Sequence, residues 1–160
     1  MKVAKFGGSS LADAHQIKKV CDIVTLDPGR RIVVVSAPGK GVNDPRKVTD
    51  MLICAAREAL DHGKEAGHTA LDCIIKRYAK IAEELGVPEI TGRIAEDLTA
   101  LLDTDMSQPL KFTDRFKAAG EDNCAKLVAA YLNKTGHKAV YVSPGDVGMI
   151  LSDDFGNAKI

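Results

Sequence analysis

The chain has 160 residues, 45% of them hydrophobic and 28% charged, a globular composition with enough apolar side chain to bury a core. Lys plus Arg and Asp plus Glu both number 22, so the formal charge is zero. That balance argues against nucleic acid or an anionic membrane surface as a partner, because both call for a basic excess.

Two apolar runs near the N-terminus predict strands. VAKF at 3–6 is the first and RIVVVSA at 31–37 the second. The β-branched stretch Ile32 to Val35 suits a central parallel strand covered on both faces. Between them Ile17, Val20, Cys21 and Val24 recur at i, i+3, i+4 and i+7, one face of a helix. Ser10 and Asp13 have capping-box spacing at its front, and Asp27-Pro28-Gly29 closes it. Strand, helix and strand in this order make a βαβ unit, with a parallel pair and a right-handed crossover.

The middle of the chain reads as helical. An Asp44-Pro45 start leads into Val48, Met51, Leu52, Ala55 and Ala59. Leu71, Ile74, Ile75, Tyr78, Ala82 and Leu85 form a second stripe, closed by Gly86. Ile94, Leu98, Leu101 and Leu102 form a third after Pro88, and Cys124, Leu127, Val128 and Tyr131 a fourth that ends near Gly136. KAVYVS at 138–143 then predicts a strand, and GMILSDDFGNAKI two short strands around a turn. NAKI at 157–160 looks like a strand in progress, so the chain reads as a piece of something longer.

Cys21, Cys54, Cys73 and Cys124 are scattered without ligand spacing, and no metal site is expected from them. Cys21, Cys54 and Cys124 fall at apolar helical positions and are expected to be buried free thiols. With no signal-peptide pattern and no long apolar run, the expectation is a soluble, cytoplasmic protein without a membrane partner.

The stretch KFGGSS, Lys5 to Ser10, follows the first strand directly. A strand, two glycines and a helix start can form an anion site, since outward N–H groups and the helix dipole favour negative charge. Glycine lets a phosphate oxygen approach the backbone, and lysine adds a flexible point charge. A turn that needs Gly7 and Gly8 for backbone reasons alone, with Lys5 solvated, is the structural alternative. It is not a P-loop: around Gly39-Lys40 the first glycine position holds Val34 and the last position holds Gly41. GxGxxG is absent as well.

KFGGSS at 5–10, VVSAPGK at 34–40, TDML at 49–52, GEDNCAKLVAAYL at 120–132 and SPGDVGMILSDDFGNAKI at 143–160 together resemble the aspartokinases of the amino acid kinase superfamily. The order and spacing agree along the whole chain. Ser36-Ala37-Pro38 stands where acetylglutamate kinases carry a glycine-rich stretch, and uridylate kinases differ in the first loop. The resemblance implies an α/β fold, a three-layer αβα sandwich with a mainly parallel sheet, here truncated. Residues 1–160 would be the N-terminal, acceptor-binding part of the kinase domain, without the regulatory ACT domains that usually follow.

By the same resemblance the full enzyme would phosphorylate the side-chain carboxylate of L-aspartate, using ATP with Mg2+, in the biosynthesis of lysine, threonine and methionine. Lys5 would be the catalytic lysine that neutralises the transferring phosphoryl group. Lys5, Gly7, Gly8 and Ser9 would bind nucleotide phosphate, and Ser36, Thr49 and Glu121 the aspartate. Taken singly, Ser36 could cap a turn, Thr49 could be an ordinary first-turn residue, and Glu121 could simply favour a helix dipole. The segment alone is expected to be inactive, and the full enzyme to be a homo-oligomer. Rival readings are a non-catalytic amino-acid-binding or interaction module from a truncated gene, and another amino acid kinase of the same fold.

Two departures from the family pattern stand out. Cys124 replaces the usual serine of GEDNSA, putting a thiol where a hydroxyl could meet the acceptor. The loop at 38–47 is longer than in many relatives and bears on a lid over the site.

Overall fold

The computed structural model describes residues 1–42 and 44–160. The run behind Met1 forms strand β1, Lys2–Phe6, and the valine-rich run forms β2, Arg30–Val35. They pair in parallel, Val3 opposite Ile32, Lys5 opposite Val34 and Phe6 opposite Val35. Alternation along a strand sends successive side chains to opposite faces. Phe6, Val33 and Val35 therefore pack against the helical core. On the other face Val3, Ile32 and Val34 stay 63%, 43% and 44% exposed. The described residues thus cover one face of β2 and leave the other open. A β-branched run reports how well side chains suit a pleated surface, and it does not by itself report what lies above that surface.

Helix α1, Ala14–Thr25, buries Ile17, Val20, Cys21 and Val24, the stripe read from the sequence. Its N-cap is Asp13 rather than Ser10: the carboxylate accepts the Gln16 N–H at 2.9 Å. Ser10 belongs instead to a 3-10 turn over Gly8–Leu11, where its N–H donates to the Gly7 carbonyl at 3.0 Å. That extra turn moves the cap three residues along.

Helix α2, Val48–His62, starts after Pro45 and not at it. Asp44 folds the preceding loop, its carboxylate accepting the Arg46 N–H at 3.1 Å. Helix α3, Lys64–Leu85, ends at Gly86, whose φ of 70° is the left-handed conformation that glycine adopts without strain. Helix α4, Ile90–Ala100, runs on into a 3-10 turn, Leu101–Asp103.

Helix α5, Pro109–Lys134, is far longer than the stripe at 124–131 suggested. Pro109 sits in its first turn, where the missing N–H costs nothing. Phe112 and Phe116 are fully buried with ring centroids 4.8 Å apart. The charged run between them and the glycine at 120 masked the helical period. Gly136, at φ 87°, ends the helix as expected, and the next N–H, of His137, returns to the Leu132 carbonyl at 2.9 Å.

Residues 138–160 contain no strand, contrary to the three expected there. Extended backbone becomes a strand only when a neighbour supplies a ladder, and here a single backbone bond, from the Ser152 N–H to the Lys159 carbonyl at 2.9 Å, crosses the last turn. The segment is tied by side chains instead. Asn133 Nδ2 donates to the Ala139 carbonyl at 2.7 Å, and the Tyr141 hydroxyl donates to Asp122. Lys126 bridges Asp97 and Asp122, each at 2.7 Å, and lies over the Tyr141 ring.

Candidate active site

In open parallel α/β sheets, ligands bind beyond the carboxyl ends of the strands. β1 and β2 end side by side, and the Ser36 N–H extends their ladder by donating to the Phe6 carbonyl at 3.2 Å. The glycine turn after β1 and the SAPGK turn after β2 therefore leave the sheet together. They touch: the Gly39 N–H donates to the Gly8 carbonyl at 2.8 Å. A Cβ on Gly39 would lie 2.4 Å from the Gly8 carbonyl carbon, and one on Gly8 would lie 2.9 Å from the Ala37 carbonyl oxygen. Both glycines are required by this backbone-to-backbone approach.

Gly7 differs. Its φ of −84° suits any residue, and a Cβ there would meet nothing within 4 Å. The bare edge of the turn thus faces open space. An alanine at this position would meet no packing obstacle.

A cleft of about 540 Å³ opens here, lined by Gly8, Ser9, Ser36 and Thr49. Lys40, Lys47 and Asp50 also line it. The two lysines carry no site assignment in the sequence reading, although Lys40 lies inside the quoted VVSAPGK stretch. Both are exposed and give the cleft a positive rim. Lys5 and Gly7 lie at the neighbouring strand end outside this lining, with Lys5 exposed on the open face of the sheet among Val3, Ile32 and Val34. A separate hollow of about 360 Å³, by Gln108–Lys111 and Phe155, gathers none of these residues.

Glu121 reaches the site from α5. The Ser36 hydroxyl donates to its Oε1 at 3.4 Å, a long contact across 85 positions of sequence. The cause is Gly120, buried inside the helix, where a Cβ would lie 2.8 Å from Ala37 Cβ and 3.0 Å from Leu52 Cδ1. Only glycine lets α5 come this close to the β2–α2 connection. The Tyr78 hydroxyl, fully buried on α3, donates to the Gly120 carbonyl at 2.8 Å and fixes the same point. Burial holds that phenol protonated, its pKa well above the ordinary value.

Two strand ends, a bare glycine turn, hydroxyls and the acids Asp50 and Glu121 around a lysine-rimmed cleft suit transfer of a phosphoryl group to a small ammonium-bearing acceptor. The description that matches this sequence, over residues 1–159, is the amino acid kinase family. The chain belongs to that family.

Within it, aspartokinase 3 of Bacillus subtilis (strain 168) is 48% identical to all of this chain, which covers 35% of that protein. Chloroplastic aspartokinase 3 of Arabidopsis thaliana is 34% identical over 99% of this chain, which covers 28% of that protein. Among solved structures, E. coli aspartokinase III in complex with aspartate and ADP, in its R-state, superposes with a TM-score of 0.78 at 30% identity. That match takes in 98% of this chain and 34% of the other. The chain thus spans about a third of the length of these relatives, and its α/β fold with a parallel sheet is that of the amino acid kinases.

The cysteines of this amino acid kinase segment divide two and two. Cys21 and Cys124 are buried, whereas Cys54 and Cys73 are exposed. Cys54 corrects the expectation of burial: it precedes Ala55, and a step of about 100° per residue carries it off the buried face of α2. Cys124 is wholly inside the core, so its thiol occupies core volume and does not line the cleft. Burial pushes Cys21 up to about 12, with Asp22 adding to the rise, and raises Cys124 further, with Glu121 and Cys21 adding. A raised pKa removes the reactive thiolate near neutrality. Iodoacetamide at about pH 8 is therefore expected to label Cys54 and Cys73 in the native protein and Cys21 and Cys124 only after unfolding. Peptide mass spectrometry checks this, and native labelling of Cys124 would contradict the buried placement.

Among the described residues no group of three potential ligands could cage a metal ion. No helix among them is long and apolar enough to cross a membrane.

Proposed function

We propose that the protein carrying this segment is an aspartate kinase. It transfers the γ-phosphoryl group of ATP to the side-chain carboxylate of L-aspartate, giving 4-phospho-L-aspartate and ADP. The observation that carries the reading is the meeting of Ser36 with Glu121 beside the bare glycine turn, in a chain whose relatives are named aspartokinases.

A carboxylate oxygen of aspartate attacks the γ-phosphorus as the bond to the β-bridging oxygen breaks. The protein's task in such a transfer is positioning and charge stabilisation more than covalent chemistry. Lys5 supplies the catalytic charge on the transferring group. The Gly7 and Gly8 backbone, with Ser9, holds the phosphates, and Lys40 and Lys47 add a positive rim. Ser36 and Thr49 donate to the aspartate carboxylates, and Glu121 accepts from its ammonium. Magnesium keeps most of its ligands as water and phosphate oxygen in such sites. It would offset phosphate charge there.

These residues form one part of the site. Residues 1–160 make up the acceptor-binding part of the kinase domain, the segment is inactive alone, and the complete enzyme is cytoplasmic and homo-oligomeric. Acceptor choice tests the reading. ADP release by the complete protein is expected to depend on L-aspartate, with glutamate and N-acetylglutamate much poorer acceptors. Preferential phosphorylation of either alternative would overturn it.

A further inference from the structure

Helix α3 contributes nothing to the lining of the cleft, yet two consecutive residues on it reach both sides of the site. Arg77 is 8% exposed. Its Nη1 donates to the Arg46 carbonyl at 2.6 Å, and its Nη2 to the carbonyls of Ala12, at 3.2 Å, and Gly39. Its Nε lies 3.7 Å from the Asp44 carboxylate, which offsets the buried charge. Tyr78, next in sequence, holds the Gly120 carbonyl.

We propose that Arg77 is a positioning residue for the phosphate side of the site and Tyr78 one for the acceptor side. The proposal rests on the kinase reading above and extends it to two residues that touch no substrate.

The three carbonyls held by Arg77 belong to three separate pieces of backbone. Ala12 closes the turn that follows Gly7 and Gly8, Gly39 is the residue locked against Gly8, and Arg46 precedes α2. Carbonyls in connections lack a ladder partner and need a donor when buried. A planar guanidinium fork offers five N–H groups at fixed angles and can serve all three, whereas an ammonium presents its donors from one point. Because Gly39 donates to the Gly8 carbonyl, any shift at Arg77 passes directly into the phosphate turn. On the other side, Tyr78 fixes Gly120, one residue before Glu121, while the only hydrogen bond described for the Glu121 carboxylate is the long one from Ser36. A rigid helix thereby sets the separation between the phosphate turn and the acid that meets the acceptor.

Arg77→Met, Arg77→Lys and Tyr78→Phe in the complete protein test this. A displacement of about 1 Å in such a site can cost about 10²-fold in rate. Arg77→Met is accordingly expected to lower kcat by about ten- to a hundredfold and to raise the KM for ATP, with the KM for aspartate unchanged. Arg77→Lys should recover part of the loss. Tyr78→Phe should raise the KM for aspartate and leave that for ATP alone. A purely structural role would lower only the folded fraction and leave both KM values and the kcat per folded enzyme intact. That result would overturn the proposal.

Hydrogen exchange supplies a readout that needs no turnover. With Arg77→Met, or with Arg77→Lys if the first does not fold, exchange should accelerate in peptides covering 7–13 and 38–48 and stay unchanged in α4. Uniform acceleration, or none, would overturn the clamp. A wild-type protein without aspartate-dependent turnover would instead overturn the kinase reading, and the exchange pattern would still decide the clamp.

Discussion

Lys5→Ala in the complete protein is expected to lower kcat by about 10²–10³-fold, the loss typical of one preorganised group facing developing charge. The effect should fall on turnover and not on folding. Lys5 is exposed on the open face of the sheet and forms no ion pair among the described residues, so truncation should move stability by no more than about 0.5 kcal/mol. Thermal midpoints of the two proteins should therefore coincide while their rates diverge. Lys5→Arg keeps the charge but exchanges a compact ammonium for a broad fork, and partial recovery is the expected outcome. A Lys5→Ala enzyme with near-normal kcat would remove the role assigned to this lysine.

The largest structural effect belongs to Gly39→Ala. The added methyl would lie 2.4 Å from the Gly8 carbonyl carbon, 2.6 Å from its oxygen and 2.7 Å from the Ser9 nitrogen. All three are backbone atoms, so no side-chain rotation relieves the overlap. The two turns must separate, and the hydrogen bond from the Gly39 N–H to the Gly8 carbonyl is lost with them. Overpacking together with the lost hydrogen bond is expected to cost about 3 kcal/mol. The shift is read as a lower denaturant midpoint at constant slope. Gly7→Ala is the matched control. With nothing near its Cβ and an unstrained φ, it should leave stability within about 0.5 kcal/mol of the wild type. If Gly7 holds phosphate as proposed, the added methyl should nonetheless raise the KM for ATP. Equal destabilisation by the two substitutions would show that the turns do not meet as described.

Much of the site was legible because its parts are short and local. KFGGSS follows a strand, SAPGK follows another, and two parallel neighbours must present their exits side by side. The Ser36–Glu121 meeting could be expected only through the resemblance to aspartokinases, since nothing in local pattern links residues 85 positions apart. Arg77 was not legible at all. In IIKRYAK it reads as one more charged residue beside an apolar stripe, and only the packing of α3 under both turns makes it a buried donor. Gly39 was likewise hidden: a glycine in a loop signals a turn, and its contact with Gly8 depends on strand register. Cys54 and Ser10 went astray for the opposite reason, because a spacing that permits burial or capping does not select which neighbour takes the role.

Local chemistry thus determined the two strands, most of the core stripes of the first four helices and the second half of α5, the glycine turn and the helix ends at Gly86 and Gly136. These depend on side-chain period and on backbone angles that the residues themselves impose. Tertiary structure alone decided which face of the sheet is covered, that 138–160 forms no ladder, and that α3 braces both sides of the cleft. Each of these needs a partner distant in the chain, and hydrogen bonds and van der Waals contacts act over a few ångströms of space whatever the separation in sequence.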